Sequence, residues 1–449
     1  MKRKLLVASL LLLSSIFAVA EDGLKIKHVL LVSVDGLHAL DVANYVAKNP
    51  KSALAELSRR CTTFTNARTP ANTDSFPGLL ALVTGGSPVS HGFFYDVGYD
   101  RSLFDPTNTA CTGTPGNLIT YDESIDVYDA ANVSLDVIDP TKLPRGKDAN
   151  GNCVAIYPHA ALRTNTIFEV VRAAGGHTAW ADKHPAYDLV NGNSGNGVED
   201  LYTPEITSVG GPDATASVVC TAVLAYGLQK TDAALASMVQ ALKDQGIFDS
   251  TLFVVTAKHG QSPINPVKVN KPGHLADLVA ALPDGGTNPA AIALVNAGNC
   301  STGPCGAVSD DDVALIWLQD QSQTASVAAY LNANANALFI EDVMAGNELK
   351  LRFNNPATDS RTPDIIVQPV YGAFYSTSKK KNAEHGGFSY SDTNVGLIVS
   401  GPGFRGGVIK TPVATSQVAP TILKALGLNP SALKSVRVEK TAALPGLGQ

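Results

Sequence analysis

Polar side chains that can bind a metal ion or a phosphate follow three apolar, strand-like runs of the sequence. Asp35, His184 and His259 each stand within three residues of the end of such a run. Ligands of open α/β sheets bind outside the carboxyl ends of the strands, so we expect these side chains at one edge of a sheet. A single Asp or His there is typical of a turn or a structural contact. The set of three predicts a metal or phosphate site.

Ser75 is the hydroxyl best placed for chemistry. It stands directly before a predicted helix that has Pro77 in its first turn, where a Ser is by default the N-cap. The same position places its oxygen beside free backbone N–H groups and the positive end of the helix dipole. A phosphate or a phosphoserine intermediate would be stabilised there. Position alone does not separate a cap from a nucleophile.

Several motifs occur together in a fixed order along the chain. They are Val32-Ser-Val-Asp35-Gly, Ser75-Phe-Pro with Leu82-Val-Thr-Gly85, Ser90-His-Gly92, Thr256-Ala-Lys-His259-Gly and Glu384-His385-Gly. This set resembles the type I phosphodiesterase/nucleotide pyrophosphatase family of the alkaline phosphatase superfamily. The resemblance implies an α/β/α sandwich and a Thr or Ser nucleophile. It also implies two divalent metal ions, usually zinc, held by three Asp and three His.

Carried over position by position, the resemblance implies roles for individual residues. Ser75 would be the nucleophile and Asp35 a metal ligand. His259 would be a ligand of the metal ion on the nucleophile's side, and His385 would be a ligand of the second metal ion. These are the recognisable members of the family's ligand set in this sequence.

The sequence also departs from the family pattern. The Asp expected before His259 is Lys258, and the Asn expected after Phe-Pro is Gly78. An Asp-x-x-Gly-His element is not legible around residues 212–217, which contain no His. We therefore expect a divalent metal, Zn²⁺ by analogy with the family, with one or fewer ions tightly bound.

Lys258 changes the local charge by two units relative to a carboxylate. It could supply positive charge that a metal ion would otherwise place near a phosphoryl oxygen. It could instead act as the base that activates Ser75, or simply mark a degenerate site. His184 or its neighbour Lys183 is expected to line the same pocket. The predicted catalytic residues are thus Ser75, Lys258 and His184.

The elements that must position these residues follow an alternating pattern. The sequence predicts strands at 28–34, 177–181, 250–256, 364–367 and 395–399, and helices at 52–60, 76–83, 166–174, 231–245 and 417–426. This alternation predicts an α/β fold with a mostly parallel sheet covered on both faces. Together with the resemblance, it indicates an alkaline-phosphatase-like α/β/α sandwich.

Three long stretches interrupt the alternation, near residues 99–157, 192–217 and 266–306. Loops of this length inside a compact domain usually cover a site or form small subdomains. Because no repeat or proline-rich linker is present, we interpret residues 21–449 as one α/β domain with insertions.

The N-terminus has the features of a cleaved export signal. Three basic residues precede the apolar stretch Leu5 to Ala20, which ends in small residues before Glu21. We therefore predict a signal peptide over residues 1–20 and a secreted or periplasmic protein. Six cysteines in an oxidising compartment predict disulfides. Cys300 with Cys305 is the safest pair, and Cys111 with Cys153 is a second candidate.

Composition excludes several classes of function. A net charge of −6 gives no electrostatic footprint for nucleic acid, and no run after the signal is long enough for a membrane span. The expected partner is a small-molecule phosphate ester. We predict a secreted phosphoric ester hydrolase, most similar to a phosphodiesterase or nucleotide pyrophosphatase. Two alternatives stay open: a non-catalytic binding protein, and a phosphomutase, phosphonate hydrolase or sulfate ester hydrolase on the same fold.

Overall fold

A computed structural model describes residues 26–447, apart from 73, 130–133, 205–219, 264–267, 301–302, 379–381 and 405. The predicted signal peptide and the region around 212–217 lie outside the described residues. The strands are β1 His28–Ser33, β2 Thr62–Arg68, β3 Val97–Asp100, β4 Asn117–Thr120, β5 Asp126–Asp129, β6 Ser134–Ile138, β7 Arg145–Lys147, β8 Cys153–Ala155, β9 Ala179–Ala181, β10 Asp200–Tyr202, β11 Thr251–Thr256, β12 Gly306–Asp310, β13 Ala314–Leu318, β14 Ile340–Ala345, β15 Ile365–Pro369, β16 Asn394–Ser400, β17 Gly407–Ile409 and β18 Val413–Ala414. The helices are α1 Ala39–Lys48, α2 Ala53–Arg60, α3 Ser75–Thr84, α4 Pro88–His91, α5 Pro158–Ala161, α6 Ile167–Ala173, α7 Cys220–Asp244, α8 Leu275–Ala280, α9 Pro289–Gly298, α10 Thr324–Ala333, α11 Gly346–Leu349, α12 Tyr390–Thr393, α13 Val418–Ala425 and α14 Lys434–Glu439.

The central sheet carries three of the five predicted strands, β1, β11 and β16, whereas β9 pairs with β10 and β15 belongs to a second sheet. Its order is β1-β11-β16-β2-β17, and β18 also pairs with β2. Strand β16 is antiparallel to both of its neighbours, whereas β1 with β11 and β2 with β17 and β18 are parallel. All strands of this sheet except β16 therefore run in one direction, as the alternating sequence pattern predicts.

The two strands that lead into the site differ in burial. Every residue of β11 is buried, whereas those of β1 are half-buried or exposed despite their apolar sequence. In the described part of the chain, β1 pairs only with β11, and a cavity separates its outer edge from β9. The apolar sequence of β1 is typical of a buried strand, and this open edge is the reason for its partial exposure.

Helix α3 starts one residue earlier than the sequence predicts. Its N-cap is Asp74, whose carboxylate accepts a hydrogen bond from the Phe76 backbone N–H, and Ser75 is the first helical residue. The default assignment of Ser75 as the N-cap is therefore wrong. The helix ends at Gly85, which adopts the left-handed conformation that favours glycine.

Helix α2 begins at Ala53, one residue after its predicted start, and Ser52 is its N-cap. The Ser52 side chain accepts a hydrogen bond from the Ala55 backbone N–H at 3.1 Å. Asp232 of α7 accepts from the backbone N–H groups of Ala53 and Leu54 at 3.2 and 2.7 Å. Asp232 thus holds two helices together through free N–H groups of the first turn.

A second, antiparallel sheet has the order β12-β13-β15-β14. One of its faces packs with α8, α9 and α10 around a separate apolar core. Helices α8 and α9 lie inside the stretch 266–306, which the sequence left without a period. The stretch 99–157 contributes three two-stranded sheets, β3-β4, β5-β6 and β7-β8.

Both predicted disulfides are present, Cys111–Cys153 and Cys300–Cys305. The first joins the segment between β3 and β4 to the first residue of β8. The second closes a short loop before β12. Among the described residues, no helix is long and apolar enough to cross a membrane.

Candidate active site

The ends of β1 and β11 bring the first two predicted residues together. The backbone N–H of Val34 donates to the Thr256 carbonyl, which continues the parallel pairing past β1. Asp35 Oδ1 lies 2.9 Å from His259 Nε2. His259 Nδ1 donates to the Gly260 carbonyl oxygen at 2.7 Å, so the ring is held with Nε2 toward the carboxylate.

Two lysines approach the other oxygen of Asp35. Lys183 Nζ lies 3.1 Å and Lys258 Nζ 3.5 Å from Asp35 Oδ2. Burial alone would raise the pKa of Asp35, but Lys258 and then His259 outweigh it and hold this pKa well below its usual value. Burial and Lys258 act to lower the pKa of Lys183, and the charges of Tyr187 and Asp35 more than reverse that shift. Two ammonium groups around one carboxylate make a site that attracts anions.

Ser75 lies beside this charged group, at the N-terminus of α3. Its side chain is almost fully buried, and its Oγ is 3.4 Å from His259 Nε2. Because Asp74 caps the helix, the Ser75 hydroxyl is available for chemistry at the positive end of the helix dipole.

Gly78 explains how α3 comes so close to β11. A Cβ at this position would clash with the carbonyl oxygen of Lys258 and lie 3.2 Å from the Lys258 Cβ. Gly78 and Lys258, two of the departures from the family pattern, are therefore in contact with each other. The missing side chain at Gly78 makes room for the backbone that presents Lys258.

His385 stacks on one face of the His259 ring. The ring centroids are 3.7 Å apart and the rings are 20° from parallel. His385 Nδ1 lies 3.7 Å from Asp74 Oδ1, and Nε2 lies 3.9 Å from Glu384 Oε1. Burial and then the charge of His259 lower the pKa of His385 well below its usual value, so this ring is neutral.

The structure separates the neighbours Lys183 and His184. Lys183 reaches Asp35, whereas His184 is buried with its ring edge-on to Tyr187, at a centroid distance of 4.7 Å. The His184 ring nitrogens face Asp126 and Glu123 at 3.8 and 3.9 Å. Of the predicted site residues, the structure brings together Asp35, Ser75, Lys258, His259 and His385. It does not bring His184 into contact with Ser75 or Asp35.

Tyr187 is the residue of this cluster that the sequence reasoning missed. It lies in the 3₁₀ helix Pro185–Asn191, is fully buried, and accepts a hydrogen bond from Lys258 Nζ at 2.7 Å. The polar density of the segment from residue 182 to 187 was the available signal. That signal did not single out the tyrosine.

A cavity of about 600 Å³ opens beside the charged cluster, between β1 and β9. Asp35, Lys183 and Lys258 form its polar end, and Leu79 and Trp180 are among its apolar lining. It offers space for an organic group attached to an anion that binds at the lysines.

The chain matches the model of a known protein family. The family model described as type I phosphodiesterase / nucleotide pyrophosphatase matches residues 29–392. The chain belongs to this family. A search of the curated proteins found no match.

Solved structures of the family share the fold. An inactive variant of murine ectonucleotide pyrophosphatase / phosphodiesterase 5 in complex with AMP is 16% identical, with a TM-score of 0.57 over 90% of this chain and 96% of that chain. A second structure of murine ectonucleotide pyrophosphatase / phosphodiesterase 5 gives a TM-score of 0.56 at the same identity and coverage. The predicted alkaline-phosphatase-like fold is thereby confirmed.

The residues around Asp35 do not fit a tightly bound divalent cation. The oxygen that would coordinate such an ion lies between the ammonium groups of Lys183 and Lys258, whose charge opposes a second cation. Within the described ranges, no three His, Cys, Asp or Glu side chains converge as metal ligands. The assignment of Asp35, His259 and His385 as ligands stays a prediction.

Proposed function

We propose that this protein hydrolyses phosphoric esters with Ser75 as the nucleophile. One observation carries the proposal. The Ser75 hydroxyl, at the N-terminus of α3, lies next to His259, which in turn contacts a carboxylate that is flanked by two lysines. A nucleophile, a helix N-terminus and positive charge are the parts that phosphoryl transfer needs.

The reaction proposed here has two displacements. Ser75 Oγ attacks phosphorus and its proton passes to solvent. The bond from phosphorus to the leaving oxygen breaks, and that oxygen takes a proton from solvent as the alcohol departs. Water then attacks the phosphoserine from the opposite side, phosphate or a phosphate monoester leaves, and Ser75 regains a proton. Splitting the reaction through a covalent intermediate is the usual advantage of a nucleophilic hydroxyl.

The lysines supply the positive charge in this proposal. In phosphoryl transfer, charge on the non-bridging oxygens must be stabilised, and Lys or Arg serves where a metal ion is absent. Lys183 and Lys258 both contact Asp35, which keeps their ammonium groups in place, and the other oxygen of this carboxylate contacts His259, the neighbour of Ser75. No step proposed here passes through a metal ion.

The substrate class and the location are also proposals. A member of the family binds AMP, and the cavity beside the lysines has room for an organic group next to a phosphate. We therefore propose a phosphodiester or nucleotide phosphate ester as substrate. The two disulfides and the sequence of residues 1–20 support a secreted or periplasmic location.

The test is Ser75→Ala, with turnover of an aryl phosphodiester, an aryl phosphomonoester and an aryl sulfate measured with and without added zinc. We expect loss of several decades in rate. The unfolding free energy should change by about 1 kcal/mol or less, because Asp74 and not Ser75 is the cap. Ser237→Ala on the exposed side of α7 is the matched control.

Three outcomes have different meanings. A Ser75→Ala variant that keeps a tenth of wild-type activity contradicts the nucleophile assignment. A wild-type protein that binds AMP but turns over none of the esters favours the non-catalytic alternative. The contacts of Lys183 and Lys258 with the Asp35 carboxylate would explain such a loss of activity. Turnover of the sulfate alone would move the substrate class to sulfate esters.

A further inference from the structure

His38 and Asp41 form a buried pair at the start of α1, outside the family motifs of the sequence. His38 Nδ1 lies 2.6 Å from Asp41 Oδ2, and both residues are buried. The backbone of His38 forms a bridge with Val395 of β16, so the pair is attached to the central sheet. His38 is the N-cap residue of α1, but its side chain makes no capping hydrogen bond. Its ring is directed instead at the loop 257–262, which follows β11.

The His38 ring contacts the backbone of Gln261 in this loop. The Gln261 N–H donates to His38 Nε2 at 2.9 Å, and the Gln261 carbonyl oxygen lies 2.9 Å from the same nitrogen. Burial acts to lower the pKa of His38, and the hydrogen bond and charge of Asp41 reverse that shift and raise it. With its Nδ1 proton on Asp41, the neutral ring accepts from the Gln261 N–H, and the charged ring donates to the Gln261 carbonyl. Both protonation states therefore hold the same backbone.

The peptide group that ends in this N–H also orients His259. Its carbonyl belongs to Gly260 and accepts a hydrogen bond from His259 Nδ1 at 2.7 Å. Because a peptide group is planar, fixing its N–H also fixes the direction of its carbonyl. His259 Nε2 is thereby directed at Asp35 Oδ1, 2.9 Å away, and at Ser75 Oγ, 3.4 Å away. Contacts thus lead from His38 through one peptide group to the ring beside Ser75.

Gly260 makes this peptide group dependent on an outside contact. The Gly260 N–H donates to the Asp392 carbonyl at 2.6 Å, and a Cβ on Gly260 would clash with the carbonyl oxygen of Ser391. Only glycine fits so close to α12, and glycine leaves its own backbone dihedral angles wide freedom. The packing fixes where the loop lies but not the tilt of the peptide group after Gly260. His38 supplies a contact that sets this tilt.

We propose that His38 is a positioning residue that fixes the orientation of the His259 ring through the peptide group before Gln261. It acts on Ser75 only through that ring. The expected effect on rate rests on the proposed function, whereas the orientation of the ring can be measured without turnover.

Two conservative variants separate the two ends of the His38 ring. His38→Gln keeps an acceptor and a donor at the position of Nε2, within reach of Gln261. His38→Asn keeps a polar group at the position of Nδ1, beside Asp41, and is too short to reach Gln261. We expect kcat of His38→Asn to fall about 10–10²-fold, the range for a small misplacement at the reacting centre, and His38→Gln to recover most of that loss. KM should change less than about twofold, because the ring lies outside the lining of the cavity between β1 and β9.

The His259 ring gives a readout that does not depend on turnover. In protein labelled with ¹⁵N-histidine, the Nδ1–H that the Gly260 carbonyl accepts should give a slowly exchanging NMR signal, assigned by its loss in His259→Asn. The signal should persist in His38→Gln and broaden or disappear in His38→Asn. His177→Asn is the matched control, because that ring is exposed and pairs with Glu199 at 2.8 Å. It should leave the signal and kcat unchanged.

The outcomes distinguish this inference from the proposed function. A His259 signal that is unchanged in His38→Asn would overturn the inference, whatever the activity. Equal losses of kcat and of thermal stability in His38→Asn and His38→Gln would indicate a packing role and overturn it as well. If the signal is lost in His38→Asn while Ser75→Ala stays active, the positioning of His259 stands and the proposed function fails.

Discussion

The residues on the two sides of the His259 ring differ in charge, although only this ring separates them. On one side, Asp35 contacts Lys183 and Lys258, and Ser75 and Tyr187 complete the cluster. On the other side, a neutral His385 stacks at 3.7 Å and faces acidic residues. We call these the lysine side and the His385 side.

The difference shows where positive charge is available to a phosphate. On the lysine side, two ammonium groups outnumber the carboxylate that they share, so an anion gains from binding there. The His385 side contains buried acids such as Asp74, whose pKa burial raises. Phosphoryl chemistry is therefore expected on the lysine side, with the His385 side serving mainly to hold His259 and the start of α3.

Removal of Lys258 should give the largest loss among the variants that test this comparison. Lys258→Met keeps the length of the side chain and deletes the charge that lies 3.5 Å from Asp35 and 2.7 Å from Tyr187. We expect kcat to fall by about 10²–10⁴-fold, the range for loss of an electrostatic donor or a general base. Steady-state kinetics over a range of pH values is the measurement.

The pH–rate curve separates the two roles that the sequence left open for Lys258. Loss of the limb on which the rate rises with pH would identify a base. An equal fall with that limb intact would identify a cation, which the contacts with Asp35 and Tyr187 favour. Lys243→Met, at the exposed end of α7, is the control. A silent Lys258→Met in an active enzyme would contradict both roles.

Metal content tests the comparison in a second way. Protein purified without chelator should hold one divalent ion or fewer per chain by elemental analysis, since the ammonium groups oppose a cation on the lysine side. Lys258→Asp restores a carboxylate and should bind zinc more tightly than Lys258→Asn, which is neutral and of similar size. Its activity should still fall, because the charge beside Ser75 is gone. Two zinc ions in the wild-type protein would mean that ligands have been missed.

The sequence predicted the parts of the site that depend on strand ends. Asp35 and His259 follow strongly apolar runs, and parallel pairing of β1 with β11 necessarily places them side by side. The helix after Ser75 was equally clear, but its first residue was not. Asp74 and Ser75 are adjacent cap-forming residues, and the choice between them depends on contacts that the sequence does not show.

Other parts required three-dimensional information. Tyr187 meets Lys258 across 71 positions of the chain, and no periodicity marks such a contact. The second sheet was also missed apart from β15, because its helices α8 and α9 follow turn-rich segments. The half-burial of β1 depends on which strand lies beside it, and an apolar run gives no information about its neighbours.

Substitution on the His385 side should have the smallest effect. His385 has its ring nitrogens toward Asp74 and Glu384, and its closest ring contact is His259. His385→Asn keeps a polar group beside Asp74 and removes the stacked ring. We expect kcat/KM to fall less than about tenfold, which corresponds to about 1.4 kcal/mol of transition-state stabilisation. Thermal unfolding measured on the same preparation separates a loss of packing from a loss of rate. If His385→Asn instead loses as much as Lys258→Met, the His385 side takes part in the chemistry. The contrast between the two sides would then be wrong, and a cation shared between His259 and His385 would become the better explanation of their stacking.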